Sequence, residues 1–542
     1  MMKKLGAVLL SCALAFSLTA CGGSGSSTDA ASTPAAGSEA AGGEASESAP
    51  LSGKVVRVAA VDPQVALDPM QYTYSIVMKI TDNVAESLVT TLDDGSIEPT
   101  LLTKRPEVSE DGLTYSFELI PDVKFHNGET LKASDVKYSF ERLVKLVKMA
   151  SLLQYVEGYD ALYNGEADEL SGITVQDDTH FTIQLSQPYA PFESVLSTAY
   201  CAIYPEAACT EAGDDWGFGT LIGTGAFKMD SYTNGVGVNL SAFADYHGGA
   251  PKIDGVEYKF IEDVNTQMLE YQKGNVDFVE LDTAIYPVYA SNPEFSEQMH
   301  SLQPVGGYSM GFNTKTISDP KVREALSLSI DRQAICDSIL HGTATVPNSY
   351  LCKGLIGWDE SAPAYEYNPQ RAKELLAEAG YPDGYDVRVT VNTKYASNVA
   401  IATAFQAQAK EAGINVNVEQ VDSAAWSDMK SSGGVDCYIA NWYVDYNDPD
   451  SMLYSYMDSR TDSNSSFWHN AEFKELTEKG VQTTDEAERQ EIYQRAEYIM
   501  TREDFAVAPL YNETKYYVLN PAITGFEMGS TYRMFWKNAD IQ

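Results

Sequence analysis

"GYDVRVTVNTKYASNVAIATAFQAQAKEAGINVNV", residues 384–418, holds a complete strand, helix and second strand in one stretch. Val387, Val389 and Val391 alternate with Arg388 and Thr390, the two-residue period of a strand. An alanine-rich helical stretch follows from about Ser397 to Ala412, Gly413 stops it, and Ile414 to Val418 alternates again. Two strands joined through a helix run parallel, with a right-handed crossover. Part of this chain is therefore an α/β layer with a parallel sheet.

Outward from this unit the punctuation stays mixed. Asp319-Pro320 sets a capping side chain before a proline at the first helical turn, and Val322, Ala325, Leu326, Ile330 and Ile339 continue at broadly helical spacing until Gly342. Asn368-Pro369 opens another helix through Leu375 and Leu376 to Gly380 in the same way. Nearer the N-terminus, Leu113 to Ile120 and Thr179 to Leu185 alternate as half-exposed strands around a helix at about 135–148, which mixes helices with antiparallel strands. No internal repeat of fixed period occurs. A chain of 542 residues exceeds what one core can fill, so two or more domains are expected.

Charge restricts the partners. There are 37 Lys and Arg against 77 Asp and Glu, a formal net charge of -40, and such a surface repels phosphate backbones. Nucleic acid is excluded as a natural partner. Met1-Met2-Lys3-Lys4, the apolar run Leu5 to Ala20 and the small residues before Cys21 form an export signal, too short for a comfortable bilayer span. Leu18-Thr19-Ala20-Cys21 resembles a bacterial lipobox, which implies cleavage before Cys21 and acyl chains attached to it. Residues 21–52 are almost wholly Gly, Ser, Ala, Thr, Pro and Glu and read as a flexible, lipid-anchored tether on the extracytoplasmic face of the membrane. Five cysteines remain in the body. Cys201 with Cys209 and Cys336 with Cys352 are the sequence-near disulfide candidates, Cys437 stands apart, and spacing leaves the pairing open.

Catalytic and metal patterns are weak. Gly307-Tyr308-Ser309-Met310-Gly311 fits the G-x-S-x-G spacing of a hydrolase elbow, but an elbow needs a helix at once after the serine, and here an extended stretch continues to Asp319-Pro320. A strand is the better reading, with a Ser309 hydrolase as a distant alternative. The six histidines are scattered singly, Gly223-Thr224-Gly225 lacks the third glycine of a dinucleotide fingerprint, and Asp458 to Phe473 lacks the glycine and final glutamate of a calcium loop. No cofactor or metal is implied.

One stretch asks for a ligand. "NWYVDYNDPDSML", 441–453, sets Asp445 at the end of the aromatic strand Ile439 to Tyr443. On residues alone Asp445 is either a turn cap among turn formers or a contact for something outside the chain. Three blocks then carry a resemblance over nearly the whole body: "EVSEDGLTYSFELIPDVKFHNGETLKASDVKYSFERL" (107–143), "GTGAFKMDSYTNGVGVNLSAFADYHGGAPKIDGVEYKFIEDVNTQMLEYQKGNVDFVE" (223–280) and "GFNTKTISDPKVREALSLSIDRQAI" (311–335). The chain resembles extracellular solute-binding protein family 5, the oligopeptide, dipeptide and nickel-binding lipoproteins of ABC importers.

The resemblance implies an α/β, two-lobe periplasmic-binding-protein-like fold (type II, cluster C) with an additional third domain. Lobe one would combine 53–96, 219–306 and 506–542; the extra domain would span 97–218; lobe two would run over 307–505. A hinge would close the lobes over a ligand. The expected function is non-enzymatic capture of di- or oligopeptides and delivery to the importer's membrane permease subunits by a monomer held to the bilayer through Cys21. By the same resemblance Asp445, in Trp442-Tyr443-Val444-Asp445-Tyr446-Asn447-Asp448-Pro449, holds the ligand's α-amine. The Ile439 to Tyr443 edge, including Asn441 and Tyr443, bonds the ligand backbone by strand addition. Trp442 and Trp426 line side-chain pockets, and Tyr72, Thr73 and Tyr74 contact the ligand from the other lobe. Plain core packing is the alternative for both tryptophans. No Arg, Lys or His is placed to receive a ligand carboxylate, and an oligosaccharide or metal chelate is the alternative ligand.

Overall fold

In a computed structural model, residues 51–92, 95–453, 456 and 465–542 are described. The export segment, Cys21, the tether up to residue 50 and residues 457–464 of the acidic stretch lie outside them. The described residues belong to one compact unit.

Three sheets organise it. A seven-stranded sheet runs in the order Met299–Leu302, Lys515–Leu519, Phe278–Leu281, Val55–Ala60, Gly255–Phe260, Gly237–Ala242, Phe227–Thr233. A six-stranded sheet runs Ala344–Thr345, Val507–Glu513, Gly306–Phe312, Cys437–Tyr443, Tyr385–Asn392, Ile414–Val421. A four-stranded antiparallel sheet of Glu107–Val108, Thr114–Glu118, His180–Gln184 and Ile173–Val175 packs with the helix Ala133–Lys145 in the third part of the molecule. The architecture is two α/β lobes plus an extra α+β part, inserted between the first strand of lobe one and the rest of it.

The strand–helix–strand unit forms as its pattern dictates. Tyr385–Asn392 pairs in parallel with Ile414–Val421, from Tyr385 opposite Ile414 to Asn392 opposite Val421. Val387, Val389 and Val391 are buried with Ile401, Ala402 and Phe405 of the intervening helix Ala396–Gln408. Gly413 turns the chain at φ +79°, a conformation that costs a glycine nothing. Asp319 and Asn368 cap their helices by accepting from the backbone N–H groups of Lys321 and Arg371, each at 2.9 Å. The helix after Pro320 is shorter than its apolar spacing suggests. It ends at Leu328, where the Ser329 hydroxyl donates back to the Ala325 carbonyl and Asp331 starts a new turn by accepting from the Ala334 N–H.

Two further expectations are corrected. A lobe-one boundary at 506 falls one strand early: Val507–Glu513 pairs with Gly306–Phe312 in the six-stranded sheet, and only Lys515–Leu519 joins the seven-stranded one. The five described cysteines are free and buried, so neither Cys201 with Cys209 nor Cys336 with Cys352 is a disulfide. Cys336 packs among Leu326, Leu340 and Phe405, whereas Cys352 belongs to a separate cluster with Tyr350 and Leu355. Gly223 and Gly225 have a structural reason for being glycine. An added Cβ would meet the backbone of residues 83–85 at 2.2 to 2.8 Å, where the Gly225 and Phe227 N–H groups bond the Val84 and Asn83 carbonyls.

Candidate ligand-binding cleft

The aromatic run 437–443 forms the site's central strand, here the cleft strand. One of its edges is fully occupied, Gly306–Phe312 pairing with it residue for residue from Gly306 opposite Tyr443 to Phe312 opposite Cys437. The other edge is different. Tyr385–Asn392 pairs with it only at Val389 opposite Cys437 and Thr390 opposite Tyr438. Beyond Tyr438 the five residues Ile439 to Tyr443 have no ladder partner on that side among the described residues, and the cleft opens there.

The cleft holds about 1250 Å³, and its walls come from lobe one, lobe two and the extra part. Of the sequence-designated residues, Thr73, Tyr74, Asn441, Trp442, Tyr443 and Asp445 line it together. Tyr72 and Trp426 are not among its lining residues. Tyr72 turns against the large lobe-one core, because Asp68, buried and paired with Arg142, folds 68–72 into a turn through bonds to Met70 and Gln71. Trp426 lies on the helix Ser423–Ser432 with the Lys430 ammonium 4.7 Å from its ring centre. Trp442 is half-buried and anchored, its indole N–H donating to the Ser451 carbonyl at 2.7 Å. Ser309 stands mid-strand opposite Ala440 and Pro509 and is buried, which is the strand reading and not a nucleophile elbow.

The three aspartates of 445–450 divide their roles. Asp448 makes a buried two-bond ion pair with Arg489 at 2.8 and 2.9 Å and caps the turn through the Asp450 N–H at 3.0 Å. Asp450 accepts from the Tyr446 and Tyr189 hydroxyls at 2.6 and 2.8 Å. The turn-capping role considered for Asp445 thus belongs to Asp448. Among the described residues the Asp445 carboxylate has no cationic partner and a single hydrogen bond, from the Tyr200 hydroxyl at 3.2 Å, while its own N–H donates to the Ser451 hydroxyl at 2.9 Å. It reaches the cleft with part of its surface, and protein surrounds the rest. Burial raises its pKa to about 6, and the Tyr200 bond opposes that rise.

Several cleft residues have no local sequence signal. Tyr200, Lys148 and Met149 come from the extra part, and Tyr532 and Arg533 from the C-terminal segment. Lys394 and Tyr395 were within reach of a rule, since they directly follow the carboxyl end of a strand in an open α/β sheet, where ligands bind. Tyr308 lines the cleft from the neighbouring strand, stacked on Tyr511 with ring centres 4.5 Å apart.

Two α/β lobes meeting at an open cleft, with a free strand edge and a carboxylate unmatched among the described residues on its wall, fit a solute-binding protein. The comparisons agree. Residues 96–464 match the family model described as bacterial extracellular solute-binding proteins, family 5 Middle, and the chain belongs to that family. It is 25% identical over 512 residues to the glutathione-binding protein GsiB of Escherichia coli K12, covering 91% of this chain and 96% of that one. In fold it is similar to HbpA2 from Haemophilus parasuis, with a TM-score of 0.77 and 24% identity over 90% of this chain and all of that one. It also resembles the ABC transporter-associated periplasmic binding protein DppA from Helicobacter pylori in complex with the peptide STSA, at a TM-score of 0.75 and 23% identity over 90% of this chain and 98% of that one. The chain is an extracytoplasmic solute-binding protein, and no described helix is long and apolar enough to cross a membrane.

Proposed function

We infer that the protein captures short peptides by their free amine and hands them to the permease subunits of an ABC importer. The carrying observation is the conjunction of Asp445, a carboxylate with no cation beside it among the described residues, with the edge Ile439 to Tyr443, which has no ladder partner on the cleft side among them. An ammonium would give Asp445 the charged partner it lacks, by charge-assisted hydrogen bonds. The open edge offers backbone donors and acceptors to an added strand, which binds peptides without reading their side chains. Thr73 and Tyr74 line the same cleft from lobe one, and lobe closure over the ligand would strengthen each polar contact by excluding water. The relatives support the reading by what they are named for: a glutathione-binding protein, and a periplasmic binding protein seen with a peptide.

In this reading lobe one comprises 53–96, 219–306 and the segment from Thr514, the extra domain 97–218, and lobe two 307–513. Cys21 carries the lipid that anchors a monomer to the membrane, and the residues between it and the body act as the tether. Native mass spectrometry of the purified protein, before and after unfolding and refolding, tests it. Heterogeneous adducts at peptide masses, lost on refolding, are expected; a single sugar or metal-chelate adduct would overturn the peptide assignment.

A further inference from the structure

The charges on the cleft wall do not cancel in pairs, and what is left over describes a ligand. Four cations line the cleft: Lys148, Lys394, Lys515 and Arg533. Two are already matched, Arg533 to Asp82 at 2.6 Å and Lys515 to Glu513 at 2.8 Å. Lys148 and Lys394 are exposed, and neither has a carboxylate within ion-pair distance among the described residues. They reach the cleft from different bodies, Lys148 just past the helix Ala133–Lys145 of the extra part and Lys394 just past the lobe-two strand Tyr385–Asn392. Two carboxylates line the same wall. Asp62 has both oxygens occupied, by the N–H groups of Gln64 at 2.8 Å and Gly235 at 2.6 Å and by the Tyr232 hydroxyl at 3.3 Å. Asp445 is the other, with a single tyrosine bond.

The cleft therefore keeps one carboxylate and two ammonium groups in reserve. Its open edge is also bounded. The cleft strand is free for five residues, and the Thr390–Tyr438 pair closes the ladder at one end while Asp445 stands past the other. At about 3.3 Å per residue that edge is roughly 16 Å long, room for a peptide of a few residues lying extended.

Resting on the peptide reading above, the geometry points to a short anionic peptide as the ligand: one ammonium held by Asp445, and two carboxylates, the chain terminus and an acidic side chain, received by Lys394 and Lys148. A protein of net charge -40 would repel such a ligand at a distance, so local cations in the cleft are what would make capture possible. Lysine suits the task because its ammonium sits on a flexible stem and can follow a carboxylate as the lobes close.

Titration calorimetry of the full chain with Ala-Glu-Ala, Ala-Gln-Ala and the N-acetyl form of each tests this. Ala-Glu-Ala is expected to bind about tenfold tighter than Ala-Gln-Ala, and Lys148→Gln with Lys394→Gln together should erase that difference. Both lysines are exposed and without ion-pair partners, so thermal unfolding of the ligand-free double variant should match wild type and exclude a folding defect. Equal binding of the two free-amine peptides, or a preference that survives in the double variant, would overturn the anionic-ligand inference and leave the peptide reading standing. If neither free-amine peptide bound, or acetylation made no difference, the peptide reading itself would fall and this inference with it.

Discussion

The lobe-one and lobe-two walls of the cleft treat charge in opposite ways. On the lobe-one side the ionisable groups are matched within the protein. Arg533 holds Asp82 while donating to the Ser197 carbonyl, Lys515 pairs with Glu513, and Asp62 accepts from the Gln64 and Gly235 N–H groups. On the lobe-two side Asp445 and Lys394 line the same cleft with no opposite charge beside them among the described residues. The first wall is a support whose charges are paired before any ligand arrives. The second holds Asp445, whose burial an ammonium would offset, and an exposed lysine. On the proposed reading, Asp445 and Lys394 of lobe two would take the ligand's amine and one carboxylate, and Lys148 of the extra part the other.

The largest effect that would sharpen the contrast is on stability. Arg533→Met strips Asp82, whose side chain is fully buried, of its partner, and should cost about 3 kcal/mol or more of unfolding free energy by denaturant titration. On the lobe-two side the same kind of change should act on binding and spare the fold. Asp445→Asn should weaken a free-amine tripeptide by about 2 to 3 kcal/mol in calorimetry, since a desolvated ammonium loses its anion. It should not destabilise the ligand-free protein at pH 7. An acid whose folded pKa is raised to about 6 keeps its proton longer when folded than when unfolded, so its contribution falls as pH rises from about 4 to about 6. The asparagine variant escapes that loss, and its thermal midpoint at pH 7 should equal or exceed wild type. A clear drop would place Asp445 with the structural charges of lobe one and break the contrast.

Smaller effects follow from the same carboxyl. Wild-type affinity for a free-amine peptide should be greatest near pH 7 and decline as pH falls through 6, because protonated Asp445 cannot pair with an ammonium; calorimetry across pH 5 to 7 reads this, below the range in which the peptide amine itself titrates, and Asp445→Asn should flatten the profile. Tyr200→Phe removes the hydrogen bond that restrains the rise in the Asp445 pKa. It should move the midpoint of that profile upward and lower affinity at pH 7 by only a few-fold. An unmoved midpoint would mean that Tyr200 supports the fold alone.

Much of lobe two was legible in the chain because its signals are local. The strand–helix–strand unit at 384–418, the caps at Asp319 and Asn368 and the aspartate after the aromatic strand each fit within one window of sequence. The helix break after Leu328 was less visible, since Ile330 and Ile339 keep an apolar spacing across it while Ser329 and Asp331 supply the stop. Trp426 and Trp442 are indistinguishable by residue type, and only packing sends one to the cleft and the other to a helix outside its lining. Lys148, Tyr200, Lys394 and Arg533 are brought to one cleft from as much as several hundred residues apart, and no periodicity encodes that meeting. The sheet to which the strand Val507–Glu513 belongs is hidden for a related reason. That strand is followed after a single residue by a strand of the other sheet, and sequence does not show where the chain changes sheets.

The most direct test of the account is the dissociation constant of the wild-type protein for Ala-Glu-Ala at pH 7.5, measured against that of the same peptide with its amine acetylated. Recognition through Asp445 predicts that the free amine binds about a hundredfold tighter, close to 3 kcal/mol. Equal affinity for the two peptides would contradict it.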